Sequence, residues 1–231
     1  MTRPDSAQNP SQKGAESSIG DAPSSESTAR SATSATGTDT TSSTSKPATE
    51  APRDMRTVLG GDEIARAMRR MAHEIIEGNK GADDLVVLGI PTRGVHVGRR
   101  LAALMGEVEG REIPVGTLDV TFYRDDLRRN PTRRMEPTTI PAEGIDDKVV
   151  VLADDVLYSG RTIRAALDAI GDIGRPRAVR LAVLVDRGHR DLPIRADHVG
   201  KNLPTSSRER VHVSLAETDG VDQVDISGGD R

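Results

Sequence analysis

Two adjacent carboxylates, Asp154 and Asp155, close an apolar run and are followed within a few residues by Ser159, Gly160 and Thr162. Paired acidic side chains offer acceptors for sugar hydroxyls. Hydroxyls and the backbone N–H groups of a helix start offer donors to a phosphate, and a glycine lets the anion approach closely. One short stretch therefore has the chemistry to hold a phosphorylated sugar. It is not a Walker-type loop, because no Gly-Lys-Ser/Thr ending follows.

These residues need a strand to present the carboxylates and a helix to receive the phosphate. Val149–Ala153 is β-branched and apolar enough for a buried strand, and Ile163–Ile173 has helical spacing. The carboxylates then fall at a strand's C-terminal edge, where open α/β sheets bind their ligands. The same order appears earlier: Leu85–Ile90 reads as a strand, Pro91-Thr-Arg-Gly94 as a turn, and a helix continues to about Met105 with Val97, Leu101 and Leu104 inward. Before it, Asp62 is placed to cap a helix that runs to Glu77 and stops at Gly78. Ile64, Ala67, Met68, Met71, Ile75 and Ile76 form its buried stripe, and Arg66, Arg69, Arg70 and His73 face outward.

Ile113–Tyr123 alternates like a strand. The polar, basic segment from Arg124 to about Gly144 carries Arg128, Arg129, Arg133 and Arg134, and a loop of this length inside a domain reads as a flexible lid. Ala178–Val185 is a further buried strand, Ala196–Gly200 and Val211–Leu215 are shorter ones, and Thr218–Arg231 reads as polar and partly loose. Strands alternating with helices predict an α/β fold, a mostly parallel central sheet flanked by helices on both faces.

Composition bounds the rest. In 231 residues there is no cysteine, which excludes disulfides, thiolate metal sites and a thiol nucleophile. Five histidines lie scattered without metal-ligand spacing, so no protein-built metal site is expected. No apolar run approaches the roughly 20 residues that span a bilayer, and the polar N-terminus lacks a signal-peptide core, so no membrane partner and a cytoplasmic location are expected. The net charge of −4 and the scarcity of aromatics (one Phe, two Tyr, no Trp) do not announce a nucleic-acid binder. Residues 1–54 are a different polymer, rich in Ser and Thr and poor in large apolar side chains. They read as a disordered tail ahead of a domain at 55–231.

Val149–Thr162 resembles the phosphoribosyl-pyrophosphate (PRPP) signature of the type I phosphoribosyltransferases. Gly89–Gly94, Leu118–Asp126, Asp186–Asp197 and Val199–Thr205 extend the resemblance to the bacterial pyrimidine-operon regulators that are also uracil phosphoribosyltransferases, over Met55 to about Val224. The resemblance implies the type I phosphoribosyltransferase fold and formation of UMP and pyrophosphate from uracil and PRPP. Asp154 and Asp155 would hold the ribose hydroxyls, and Val156, Leu157, Tyr158, Ser159, Gly160, Arg161 and Thr162 would wrap the 5-phosphate. Thr92 and Arg93 would meet the pyrophosphate, with Asp154, Asp155 and Arg93 as the catalytic set. Arg187 and Val211 would lie near uracil or UMP. Mg²⁺ would be held mainly through PRPP and water. Arg70 and His73 match positions that help bind a pyrimidine-operon mRNA leader, and a homo-oligomer, dimer or larger, is usual in the family. A regulator with negligible catalysis, or a phosphoribosyltransferase for another base, is the alternative.

Overall fold

The computed structural model describes residues 55–125 and 136–228; the expected tail at 1–54 and the arginines at 128, 129, 133 and 134 lie outside them. Apolar strands that alternate with amphipathic helices have only one efficient arrangement, a parallel sheet with helices against both faces. Five strands form it: β2 (Leu85–Gly89), β3 (Val115–Thr117), β4 (Val149–Leu157), β5 (Ala178–Asp186) and β6 (His198–Asn202). Every pairing is parallel, in the order β3-β2-β4-β5-β6.

Alternate residues of each strand serve opposite cores. Val87, Val149, Val151 and Leu184 pack with α1 (Gly61–Asn79) and α2 (Arg93–Glu109). Val86, Leu88, Val150, Leu152 and Val183 pack with α3 (Arg161–Ile173) and the 118–120 segment. From β2 the chain moves outward to β3, then returns to the other side of β2 as β4 and continues to β5 and β6. The order therefore reverses between β2 and β4. That switch point leaves a crevice beyond the strands' C-terminal ends, flanked by α2 on one face and α3 on the other.

A second, antiparallel sheet was not anticipated. It joins β1 (Met55–Gly60), β8 (Gln223–Ser227) and β7 (Arg210–Ser214), with β8 in the middle. The expectation of a loose end from Thr218 is corrected here: after the short helix α4 (Ala216–Asp219), β8 buries Val224 and Ile226. A five-residue strand with polar alternates shows little from sequence, and its pairing partner β1 lies 168 residues away, as the Thr57–Asp225 hydrogen bond records.

The strand expected over Ile113–Tyr123 is also shorter. After β3 the Asp119 carboxylate accepts from both the N–H and the hydroxyl of Thr121, at 2.8 and 2.5 Å, and turns the chain into a 3-10 helix at Thr121–Tyr123. Gly60 rather than Asp62 precedes α1, and the Glu63 carboxylate accepts from its N–H at 3.0 Å. The helix runs on past Gly78 to Asn79, where Lys80 adopts the left-handed conformation.

Candidate active site

Two strand-to-helix turns meet at the switch point. β4 outlasts its carboxylates: Asp154 pairs with Val183, and the strand continues to Leu157. Asp154 is buried and Asp155 half-buried, and Asp154 Oδ1 accepts from the Asp155 N–H at 2.9 Å. Beyond Leu157 the chain turns through Tyr158–Gly160 into α3. Gly160 has φ 90°, which suits glycine, and a Cβ there would press on Leu192 and Ile194. The 190–192 segment supports this turn from below. The Ser159 carbonyl accepts from the N–H groups of Asp191 and Leu192 at 3.0 and 3.1 Å, and Arg190 donates to the Tyr158 carbonyl at 2.8 Å.

The turn after β2 is tighter. Ile90 N–H donates to the Ala153 carbonyl at 3.0 Å, and the Pro91–Thr92 peptide is cis. A Cβ on Gly94 would lie 2.7 Å from the Ala153 carbonyl oxygen and 3.0 Å from Asp154 Cα. Only glycine lets the start of α2 come this close to the acidic end of β4.

The helix starts differ in a telling way. α1 carries Asp62 and Glu63 in its first turn and binds its own N-terminal backbone. α2 and α3 have no acidic residue in the first turn and no side-chain cap. Apart from a long 3.4 Å donation from the Arg161 N–H to Ser159 Oγ, their leading N–H groups and positive dipole ends have no side-chain cap among the described residues, an arrangement that receives anions.

Arg93 opens α2. Its Nε and Nη2 donate to Asp219 of α4 at 3.0 and 2.7 Å. The Asp219 carboxylate raises the basicity of the Arg93 guanidinium, with a smaller contribution from Asp155, and Arg93 in turn lowers the Asp219 carboxyl below its usual range. Arg161, expected with the phosphate loop, points away from it to Asp125 (2.6 Å) and Asp191 (3.2 Å). Arg124, at the root of the basic loop, donates to the Thr162 hydroxyl at 3.0 Å. The described root of the basic segment is thus tied to the first turn of α3.

Arg187 is buried, and its side chain is engaged by its neighbours. Its guanidinium lies 4.3 Å from the Tyr158 ring centroid and donates to Thr205 Oγ1 and to the carbonyls of Ser206 and Glu209. Its N–H is taken by the Leu157 carbonyl and its own carbonyl accepts from Thr205. The side chain holds the 205–209 loop against the phosphate turn, so it shapes the pocket wall. Val211 sits in β7, half-buried against the core shared by α1 and α2. Arg70 and His73 lie on α1, away from the crevice. Arg70 donates to the carbonyls of Val199 and Gly200 at 3.0 and 2.7 Å and to Glu74, while His73 is exposed.

Sequence reading did not find Asp219 or the supporting 190–192 segment. Asp219 lay in a stretch read as loose, and no local pattern links it to Arg93. No group of three or more His, Asp or Glu able to hold a metal occurs among the described residues. No helix among them is long and apolar enough to cross a membrane.

A parallel sheet with an acidic pair and two uncapped helix starts at its switch point is the architecture of a type I phosphoribosyltransferase. The phosphoribosyl transferase domain profile matches residues 56–216. Bifunctional protein PyrR of Streptomyces coelicolor is 66% identical over 171 residues, covering 74% of this chain and 89% of that protein. Its namesake from Leifsonia xyli is 60% identical over 179 residues, covering 75% and 97%. Among solved structures, the hypoxanthine phosphoribosyltransferase of Trypanosoma cruzi superposes with a TM-score of 0.59 at 18% identity, over 74% of this chain and 94% of that one. The chain belongs to the phosphoribosyltransferase family and, within it, to the PyrR proteins.

Proposed function

We propose that the chain is a uracil phosphoribosyltransferase that makes UMP and pyrophosphate from uracil and PRPP, and that it also regulates pyrimidine genes by binding their leader RNA in response to UMP. The observation that carries the enzymatic half is the pair of uncapped helix starts flanking Asp154 and Asp155. PRPP is an anion at both ends with a diol between them. The α3 turn, Val156–Thr162, takes the 5-phosphate, Asp154 and Asp155 take the ribose hydroxyls, and Thr92 and Arg93 take the pyrophosphate. Uracil N1 displaces pyrophosphate from the anomeric carbon. The carboxylates stabilise positive charge that develops on the sugar, and Arg93 with the α2 N–H groups stabilises the departing anion.

Two adjacent carboxylates, with no larger cluster of possible metal ligands among the described residues, fit an ion that keeps few protein ligands, so the residues suit Mg²⁺ held mainly by PRPP oxygens and water. When bound, Mg²⁺ supplies charge neutralisation at the pyrophosphate. The base pocket lies between Arg187 and Val211, and the remaining lone pair of the Arg187 carbonyl can accept from a base N–H. We assign the catalytic domain to residues 55–231 and no part of it to residues 1–54. The protein acts in the cytoplasm as a dimer or larger homo-oligomer.

For the regulatory half, Arg70 is held by two backbone carbonyls of β6 while its side chain stays 51% exposed beside Arg66, Arg69 and His73. A cation fixed in place on an exposed basic face suits RNA phosphates. Product analysis with uracil, orotate and hypoxanthine, each with PRPP and Mg²⁺, tests the enzyme: UMP from uracil alone is expected, and turnover of another base instead would replace uracil in this reading. A titration with leader RNA from the cell's own pyrimidine genes, with and without UMP, tests the regulator. Binding that Arg70→Gln and His73→Ala leave untouched would move the RNA site off α1.

A further inference from the structure

The pyrophosphate turn ends in a cation whose position is set from the far end of the chain. α2 presents Arg93, His96 and Arg100 on one face, and the α4 region answers with Glu217, Asp219 and Asp222. Arg100 donates to both Glu217 and Asp222 at 2.6–2.9 Å, and those two carboxylates do not touch Arg93. Within this seam Asp219 has a separate task.

A guanidinium has five N–H donors arranged as a side-on edge (Nε, Nη2) and an end-on edge (Nη1, Nη2). Asp219 occupies the side-on edge, with Nε at 3.0 Å and Nη2 at 2.7 Å. Nη1 has no protein partner among the described residues. The carboxylate is itself held in place, because Asp219 Oδ2 accepts from the Leu215 N–H at 2.9 Å. A long, rotatable side chain is thereby fixed at one edge while its other edge remains open for a bidentate anion.

We propose that Asp219 is a positioning residue for the reaction: it holds the guanidinium of Arg93 so that the Nη1/Nη2 edge meets the pyrophosphate of PRPP. This rests on the reading of Arg93 as the pyrophosphate ligand. Asp219 does not contact substrate. It removes the side-chain entropy that Arg93 would otherwise lose on binding. It also ties the β7–β8 connection to the pyrophosphate site, although Arg93 and Asp219 stand 126 residues apart in the sequence.

The test uses the full-length chain with Asp219→Asn, which keeps an acceptor for Leu215 but loses the charge, beside Arg93→Gln, the double variant and Glu217→Gln. Asp219→Asn is expected to raise KM for PRPP, and for pyrophosphate in the reverse reaction, about tenfold. Binding of UMP, which has no pyrophosphate, should stay unchanged. The double variant should be no worse than Arg93→Gln alone, since Asp219 acts only through Arg93. Glu217→Gln loosens the same seam without touching Arg93 and should leave KM for PRPP near wild type. If Arg93→Gln raises KM and Asp219→Asn does not, the positioning role is wrong while the Arg93 assignment stands. If Asp219→Asn and Glu217→Gln weaken PRPP and UMP alike, Asp219 merely docks the sheet. If Arg93→Gln changes nothing, the assignment of Arg93 falls and this inference with it.

Discussion

The turn after β4 and the turn after β2 have the same plan, a parallel strand feeding a helix whose first turn lacks acids, yet they are supported from different places. The β4 turn is braced by the 190–192 segment, which begins four residues after β5, the strand paired to β4. The β2 turn is braced by a backbone contact from Gly94 to β4 and by a carboxylate 126 residues further on. A site that grips a phosphate permanently through the reaction can be built from neighbouring backbone. One that must release its anion gains from a movable side chain, and such a side chain needs an outside hold.

The acidic end of the β4 turn should be the most sensitive point. Asp154→Asn with Asp155→Asn is expected to lower kcat/KM for UMP formation by about 10²–10³, measured by product release under saturating uracil. Normal turnover would remove the carboxylates from the chemistry and leave the two turns as plain anion sites. Next comes Gly94→Ala, whose Cβ would press on the Ala153 carbonyl and Asp154 Cα. It should cost about 1–3 kcal/mol of stability by overpacking and raise KM for PRPP. Gly78→Ala, in α1 with open space around it, should instead stabilise by roughly 0.5–1 kcal/mol. Denaturant melts of both variants check the contrast, and equal effects would mean that the close approach at Gly94 is unimportant.

Arg187→Met removes the buried guanidinium and leaves the Ser206 and Glu209 carbonyls without that donor. A loss of about 1–3 kcal/mol is expected, with weakened UMP binding and little change in pyrophosphate affinity. Impaired pyrophosphate binding with intact UMP binding would place Arg187 at the wrong turn. The smallest effect concerns pH. Arg100 lowers the carboxyls of Glu217 and Asp222, and Arg93 lowers that of Asp219. Groups with depressed folded-state pKa contribute stability that is fully present above the unfolded value, about 4, and that is lost as pH falls through the lower folded values. Arg100→Gln should therefore flatten the acid limb of a stability–pH curve below pH about 4, and should do so less at high salt because the pairs are partly exposed. An unchanged limb would show that the seam contributes nothing measurable.

The β4 turn was legible in the sequence because its parts are contiguous: an apolar run, two acids, hydroxyls and a glycine within fourteen residues, Val149–Thr162. The parallel sheet followed from continuous apolar strands separated by helical periods. What local patterns did not reveal were pairings across the chain. Asp219 sits in a polar stretch whose meaning appears only when α4 meets α2. β1 and β8 are ordinary half-polar segments until they pair. Arg187 came in by resemblance as a position near the base, and what the sequence did not show is that its buried side chain is spent on its neighbours. The fold thus supplied the long-range half of the site.

The antiparallel sheet has a consequence for chain connectivity. Met55 of β1 stands directly opposite Ser227 of β8, and partners in such a ladder have Cα atoms only about 5 Å apart. The first residue of β1 and the last of β8 are therefore ladder neighbours. A short glycine-rich linker between them would close the polypeptide into a loop, and fresh ends could be opened at the exposed turn around Gly110, after α2. In such a circular permutant β8 would precede β1, Asp219 would stand about fifty residues before Arg93, and the same clasp would become a short-range contact.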